Sequence, residues 1–256
     1  MHIRFPKPLS LALVALLALA CRSAPPYQGL EAGDLHALAQ RKFADKDYDE
    51  AERALNRLFI AFPSYERTTD ARMLLADAYF ADKQYITATA EYRRFIDRFP
   101  SDPKAPVAAL GLCLASAATS PEIQRDQSAT EDAEVVCGNV AADYPGTAQG
   151  TEAARISGEM RVKMAAKLHS IGEYYFNRKF WDSSIVYWDM LEKKYADTEW
   201  APRALVGIMR AYEKIGYQDL VAETRKKILD SYPNSAEART LAGDTVAAAV
   251  RTGGGQ

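Results

Sequence analysis

Residues of the types that perform catalysis or bind metals are few in this chain, and their spacing does not favour a site. Beyond the first 20 residues the histidines are His36 and His169, and neither has a partner at the spacing of metal ligands. Asp45, Asp47 and Asp49 fall at a predicted turn and helix start, where carboxylates cap the helix and face solvent. The sequence has no glycine-rich phosphate loop and no nucleophile elbow. It therefore predicts a protein that is not an enzyme and uses no metal or other cofactor.

The start of the chain has the pattern of a signal peptide. The basic residues Arg4 and Lys7 precede an apolar run from Leu9 to Ala20. This run is too short to cross a bilayer as a helix. The pattern predicts a signal peptide over residues 1–20, removed in the mature protein.

The cysteine that follows this run is a candidate for covalent modification by lipid. Small residues and a leucine directly before Cys21 resemble a bacterial lipobox, although Ala18 stands where leucine is usual and Leu19 comes one step later. We therefore expect Cys21 to become the first mature residue and to carry lipid, including palmitate. Ordinary secretory cleavage beside an incidental cysteine is the alternative. Arg22 follows where an aspartate would resemble an inner-membrane retention signal, which favours the outer membrane.

The charge of the chain argues against a nucleic-acid partner. The sequence has 32 basic and 34 acidic residues, and removing residues 1–20 leaves 30 basic and 34 acidic, a net charge of −4. Binding of nucleic acid needs a concentrated basic face. An apolar content of 48% indicates a folded chain.

Two further cysteines, Cys113 and Cys137, fall on successive predicted helices. An oxidising compartment would allow a disulfide between them. Free cysteine is also among the most buried residue types. Because spacing alone does not show that two side chains face each other, the sequence favours two separate buried thiols.

A helix ending recurs along the chain, as an aromatic residue followed by proline. Proline disfavours helical geometry in the residue before it and cannot donate a backbone hydrogen bond. The ending occurs at Phe62-Pro63, Phe99-Pro100, Tyr144-Pro145 and Tyr232-Pro233, and at Tyr195-Ala196 without the proline.

Each ending closes a longer pattern of small and large residues. Before Pro100, Tyr92 and Ala88 lie on one predicted helix and Tyr79 and Ala76 on the helix before it. This is the spacing of a tetratricopeptide repeat, in which small residues mark the close crossing of two helices. The same spacing fits five copies and predicts five helical hairpins that leave no room for a separate catalytic domain.

Two departures from the regular spacing have structural explanations. Ser120-Pro121 breaks the first helix of repeat three, and Ser128 with Glu131 makes a capping box for the second. No proline occurs from Gln149 to Asn177, which predicts one helix, or two nearly continuous ones, with a length of more than about 40 Å.

The predicted fold is all-α, with five tetratricopeptide-like hairpins stacked in a right-handed superhelix. The long helix joins repeats 1–3 to repeats 4–5. The expected organisation is a signal peptide (1–20), a lipidated cysteine and tether (21–33), N-terminal repeats (34–146), the long helix with C-terminal repeats (147–238) and a tail (239–256).

The first helices of stacked hairpins line a concave groove, which suggests a peptide-binding site. Phe43 and Phe80 each follow a core position by one residue, a rotation of about 100° that turns them towards the groove. Met73 and Asp77 lie on the same predicted face as Phe80. Packing between neighbouring repeats is the alternative role for these side chains.

These features together resemble the BamD family, lipoprotein subunits of the bacterial outer-membrane β-barrel assembly machinery. The most specific matching segments are Arg125–Gln127 and Glu173–Tyr175. The resemblance implies a protein anchored to the periplasmic face of the outer membrane. It also implies that the C-terminal repeats bind the periplasmic domains of the barrel subunit and that the N-terminal repeats receive unfolded barrel proteins. Candidate contact residues in the C-terminal repeats are Trp181, Tyr187, Trp188 and Arg210.

A second function fits the same architecture. A different lipid-anchored or periplasmic repeat scaffold, one serving cell-wall synthesis or division, would show the same repeats, because fold does not fix function.

Overall fold

The computed structural model describes residues 27–243, which form ten complete α-helices, with residues 236–243 helical at the C-terminal limit. Cys21 and the predicted signal peptide lie outside the described residues. The helices are α1 (Ala32–Ala44), α2 (Tyr48–Ala61), α3 (Thr68–Ala81), α4 (Tyr85–Arg98), α5 (Ala105–Ala118), α6 (Ser128–Asp143), α7 (Ala148–Asn177), α8 (Trp181–Lys194), α9 (Trp200–Ile215) and α10 (Gln218–Ser231). The predicted all-α fold is confirmed, whereas its right-handed superhelical stacking stays a prediction.

The recurrent aromatic endings all stop helices, as predicted. The residue that follows α2, α4, α6, α8 and α10 is Phe62, Phe99, Tyr144, Tyr195 and Tyr232, respectively. Each has φ between −133° and −124°, and its N–H donates to the carbonyl four residues earlier. Tyr195 takes this conformation before Ala196, so proline is not required for the ending.

Helices α1 to α3 form the first of two compact units, which extends to Asp82. Its core includes Leu35, Leu55 and Leu75, each at most 2% exposed. Ala39 and Ala51, the small residues at the corresponding positions of the first repeat, are fully buried. Helix α2 packs against both α1 and α3.

Helices α4 to α10 form the second unit. The stretch without proline forms one continuous helix, α7, which has 30 residues and spans about 45 Å. It packs on α5 and α6 before it and on α8 and α9 after it. The two compact units divide after Asp82. The expected division into N-terminal repeats, long helix and C-terminal repeats stays a prediction.

Small residues in the second unit admit large rings. The indole of Trp188 on α8 is fully buried between Gly172 on α7 and Gly207 on α9. The ring of Tyr92 on α4 lies against Gly111 on α5, where an added Cβ would come within 2.5 Å of it. The predicted association of small residues with close crossings therefore holds in this unit.

The two cysteines of repeat three are bonded to each other, contrary to the expectation from the sequence. Cys113 on α5 and Cys137 on α6 form a disulfide, with their Cα atoms 4.8 Å apart. The expectation of two separate thiols is wrong because α5 and α6 pack with both side chains in one interface. Both residues are fully buried.

The start of α6 also differs from its predicted capping box. Asp126 accepts the hydrogen bonds instead, from the backbone nitrogen of Ser128 at 3.0 Å and from its hydroxyl at 2.5 Å. Gln127, not Ser128, holds the N-cap position. The Ser128 hydroxyl is therefore engaged by a neighbouring carboxylate and does not cap the helix.

Arg161 on α7 connects three parts of the second unit. Its Nη1 donates to Glu134 Oε1 on α6 at 2.7 Å. Its Nε and Nη2 donate to the two carboxylate oxygens of Asp197, just after α8, at 3.0 and 2.6 Å. The guanidinium also lies 5.1 Å from the ring centre of Tyr195. These contacts fix the position of α8 against α6 and α7.

The end of the described chain is helical beyond the predicted start of the tail. Ala238 and Leu241 are 2% and 8% exposed and belong to the core of the second unit. Nη2 of Arg225 donates to the carbonyl of Leu241 at 2.6 Å. Helical packing therefore continues to at least residue 243.

Candidate protein-binding surfaces

The residues predicted to line a peptide groove lie on α1 and α3 of the first unit. Phe43 is partly buried, and its ring centre lies 5.6 Å from that of Tyr48 in an edge-on arrangement. Asp77 and Phe80 are also partly buried, while Met73 is only 9% exposed. Met73 thus offers little surface to a ligand, and the two phenylalanine rings carry what apolar surface the groove would have. The groove stays a prediction.

A larger exposed aromatic surface lies where α7 passes into α8. We call Tyr174, Tyr175, Phe180 and Tyr187 the aromatic corner. The rings of Tyr175 and Tyr187 are stacked, with centres 5.3 Å apart and planes 8° from parallel. Tyr174 and Phe180 meet Tyr175 edge-on, at 5.4 and 6.4 Å. The outer rings are well exposed, Tyr174 by 52% and Phe180 by 58%.

The turn between the two helices holds these rings in place. Lys179 takes a left-handed backbone conformation with φ of 66°, which reverses the chain directly after α7. The N–H of Phe180 then donates back to the carbonyl of Tyr175 at 3.0 Å. The position of Phe180 beside Tyr175 is therefore set by backbone hydrogen bonding.

Apolar surface continues along α8. Val186 is 58% exposed and Met190 46% exposed, and they lie four residues apart on the side of the helix that also carries Tyr187. Sequence reasoning missed Val186 and Met190, because an amphipathic pattern assigns aliphatic residues to the core. The signal available was that α8 has more large apolar residues than one buried face can hold.

Of the four predicted contact residues, only Tyr187 belongs to this surface. Trp188 is fully buried, so its proposed contact with a partner is corrected to a core role. Trp181 is partly buried, with its ring centre 4.8 Å from that of Phe176. Arg210 is exposed and lies over the Phe176 ring at 4.6 Å. Its Nη1 is 3.7 Å from Glu173 Oε1, which places a charged pair near the aromatic corner.

The ring of His169 packs against two tryptophan rings. Its ring centre lies 5.1 Å from that of Trp200 and 6.0 Å from that of Trp188. Burial lowers the pKa of His169, an effect that Glu173 opposes. The imidazole is therefore neutral near pH 7 and packs among indoles.

One group of carboxylates in the described residues is close enough to share a cation. The oxygens of Asp49, Glu52 and Asp82 lie within 4.8 Å of one another in the first unit. Burial, followed by the neighbouring charges of Asp82 and Asp49, raises the pKa of Glu52 to about 7. Near neutral pH a proton therefore competes for this cluster.

The insertion between α5 and α6 is ordered by its own side chains. Gln127 is 6% exposed, and its Nε2 donates to the carbonyls of Glu122 and Arg125 at 2.8 and 3.1 Å. Lys163 and Lys167 on α7 donate to Ser120 Oγ at 2.7 Å and to the carbonyl of Gln124 at 3.2 Å. These bonds attach the insertion to the long helix.

A family model described as outer membrane lipoprotein, YfiO, matches residues 30–239. The chain belongs to the YfiO family of outer membrane lipoproteins. This confirms the resemblance to the BamD family stated from the sequence. Among residues 27–243 of this family member, no helix combines the length and apolar character needed to cross a membrane.

Several solved structures of tetratricopeptide proteins are similar to this YfiO-family chain at low identity. The complex of the TPR2AB domain of yeast Sti1 with pHSP90 is 14% identical, with a TM-score of 0.40, and the match covers 81% of this chain and 80% of that one. A thermophilic TPR protein of Thermus thermophilus is 16% identical, with a TM-score of 0.36, and coverage of 84% and 100%. Scores this low support no conclusion about partners. None of the curated proteins matches the chain.

Proposed function

We propose that this YfiO-family protein is a non-catalytic, lipid-anchored scaffold of the β-barrel assembly machinery at the periplasmic face of the outer membrane. In this role it binds the periplasmic domains of the barrel subunit and receives unfolded outer-membrane proteins. Family membership supports an outer-membrane lipoprotein. The subunit and substrate assignments rest on the resemblance described above.

The structural observation that supports binding of a protein partner is the aromatic corner. Tyrosine is enriched among the residues that contribute most to binding at protein interfaces. Stacking of Tyr175 on Tyr187 holds these rings before a partner arrives, so binding loses less side-chain freedom. Tyr174 and Phe180 then present more than half of their surface to a partner.

A pull-down of full-length protein from detergent-solubilised outer membrane tests this assignment. The wild type is expected to recover the barrel subunit, and the double variant Tyr174→Ala/Phe180→Ala to lose most of it. Tyr217→Ala is the matched control, because Tyr217 is 53% exposed but precedes α10, outside the aromatic corner.

Two results would contradict the assignment. Full recovery of the barrel subunit by a folded double variant would remove the aromatic corner from the interface. Recovery of peptidoglycan synthases in place of the barrel subunit would favour the alternative scaffold in cell-wall synthesis or division.

The lipid anchor has a separate test at Cys21. In Cys21→Ser the protein is expected to leave the membrane fraction or to remain unprocessed, because the thiol that receives lipid is gone. Unchanged electrophoretic size together with unchanged detergent partitioning would contradict lipidation.

The predicted groove of the first unit can be tested with a peptide from the C-terminal end of a membrane β-barrel. Such chains commonly end in an aromatic-rich strand, a point that comes from the resemblance. The variant Phe43→Ala/Phe80→Ala is expected to stay folded by circular dichroism while binding the peptide more weakly. Unfolding would assign both rings to packing, and full affinity in the folded variant would place the peptide site elsewhere.

A further inference from the structure

A trough runs along the second unit between α4 and α6, with α5 as its floor. Two adjoining cavities of about 400 and 190 Å³ form it, and both are lined by Arg93 of α4 and Val136 of α6. From α5, Ser116 lines the first cavity and Leu112 the second. The trough lies on different helices from the aromatic corner.

The two walls run in the same direction. Ile86 and Arg93 of α4 line the first cavity together with Asp132 of α6, and Asp97 of α4 lines the second together with Asp143 of α6. Residue numbers thus rise along both helices towards the same end. The lining of α6 extends from Ala129 to Asp143, which corresponds to about 20 Å. This length fits about four turns of a docked helix.

Large apolar side chains are exposed along the trough. Ile86 is 82% exposed and Val135 is 56% exposed, one on each wall. Burying such β-branched side chains against a partner removes apolar surface from water, which favours association. A partner with an apolar stripe would cover both walls.

The charged side chains of the trough form no ion pairs within the described part of the chain, and acidic residues predominate at one end. Arg93, Asp97, Asp132 and Asp143 are all exposed, and none forms an ion pair with another described residue. Arg93 and Asp132 both line the first cavity, while Asp97 and Asp143 both line the second. The end of the trough at Asp97 and Asp143 therefore attracts cationic groups.

The trough also suits a helical partner better than an extended peptide. An extended peptide in the trough would need hydrogen-bond partners for its N–H and C=O groups. The backbone groups of α4, α5 and α6 are already bonded within those helices, apart from their ends. A helix satisfies its own backbone and meets the trough with side chains alone.

We propose that this trough binds an amphipathic α-helix of a partner protein. The apolar stripe of that helix lies on Ile86, Val135 and Val136, and lysine or arginine near one of its ends lies between Asp97 and Asp143. The inference does not depend on membership of the β-barrel assembly machinery, because it uses a different surface and no property of the barrel subunit.

A designed peptide probes the site on the full chain in detergent. It is a fluorescent helix of about 18 residues, with leucine at every third or fourth position and lysines in its last turn. Wild-type protein is expected to bind it saturably in fluorescence anisotropy. Ile86→Asp and Val135→Asp are each expected to weaken binding by about tenfold or more. Ile60→Asp is the matched control, since Ile60 is 77% exposed but lies on α2 in the other unit.

Charge exchange tests the contact between the charged end of the peptide and the two aspartates. Asp97→Lys/Asp143→Lys is expected to weaken the lysine peptide and to strengthen a peptide with glutamates in its last turn. The proposal is overturned if no saturable binding occurs, if Ile86→Asp binds like Ile60→Asp, or if a proline-containing peptide of the same composition binds equally well. Self-association of the wild type that Val135→Asp abolishes would overturn it in favour of a second copy as occupant.

Discussion

The indole of Trp188 lies directly against Gly172. A Cβ added at residue 172 would come within 2.3 Å of the indole Nε1, and one added at residue 207 would come within 2.8 Å of the same ring. The Nε1–H donates to the carbonyl of His169 at 3.3 Å, so the ring is held in orientation as well as in place. Because Gly172 and Gly207 have no Cβ, the space between their helices admits Trp188, the largest fully buried side chain.

Gly172→Ala is therefore expected to lower the free energy of unfolding by about 1–3 kcal/mol, because Trp188 has no space to withdraw. Chemical denaturation followed by the far-ultraviolet circular dichroism signal measures this. Gly158→Ala on the same helix is the control. No atom lies within 4 Å of a Cβ there, and alanine is expected to stabilise the helix by up to about 1 kcal/mol. Equal effects at the two positions would contradict the packing of Trp188.

The disulfide predicts a stability that depends on oxidation. In soluble Cys21→Ser protein, adding Cys113→Ser/Cys137→Ser is expected to cost about 2–4 kcal/mol, because the bridge between residues 24 apart no longer constrains the unfolded chain. Dithiothreitol should lower the urea midpoint of the parent and leave that of the serine variant unchanged. Two titratable thiols in the oxidised, denatured parent would show that the bond is absent.

Arg161 predicts a stability difference between two arginines on one helix. Arg161→Met is expected to lower the free energy of unfolding by about 1–3 kcal/mol, because it removes charged hydrogen bonds to Glu134 and Asp197. Arg155→Met is the control, since Arg155 pairs with Glu152 and Glu159 on the exposed surface and should change stability little. Equal losses in the free energy of unfolding would show that the contacts of Arg161 contribute no more than the surface ion pairs of Arg155.

The contribution of Arg161 should also fade in acid. Hydrogen bonding to Arg161 holds the pKa of Asp197 below its usual range. A carboxyl with a lowered pKa in the folded state stabilises the fold above its unfolded pKa, near 3.9, and loses that contribution as the pH falls through the folded value. The difference between wild type and Arg161→Met is therefore expected to shrink below about pH 4. Urea midpoints measured from pH 2 to 7 give this dependence, and a constant difference would contradict it.

Glu52 predicts the opposite dependence on pH. Its pKa of about 7 means that the folded chain keeps a proton that the unfolded chain releases near pH 4.3. The contribution of Glu52 to wild-type stability should therefore fall as the pH rises from about 4.3 to 7. Glu52→Gln is expected to be more stable than wild type at pH 8 and equal to it at pH 4. Glu66→Gln, on the surface of the same unit, reports the effect of removing a charge alone. An equal gain in both variants at pH 8 would contradict the burial of Glu52.

Sequence periodicity was sufficient to predict helix boundaries that depend on local chemistry. The aromatic endings and the long helix α7 follow from the conformational limits of proline and from uninterrupted helical spacing. The burial of Ala76 and Ala88 follows in the same way, because a small residue at a fixed place in the repeat is a local signal.

Features that depend on rotation of one helix against another were not predictable in this way. Spacing placed Cys113 and Cys137 on neighbouring helices but could not show that both side chains enter one interface. Trp188 was predicted as a candidate contact residue, whereas glycines on two other helices accommodate it in the core. Tyr175 and Tyr187 form a stack only through the packing of α7 on α8.

The bridge between Cys113 and Cys137 also determines how the chain would bear a mechanical load. A pull applied at the two ends would pass from α5 to α6 through the sulfur atoms, and the segment between the cysteines would carry no tension. Because these residues lie 24 apart, the fully stretched chain would be shorter by about 80 Å than its reduced form. The insertion would then remain inside the loop closed by the disulfide while the helices outside that loop were extended.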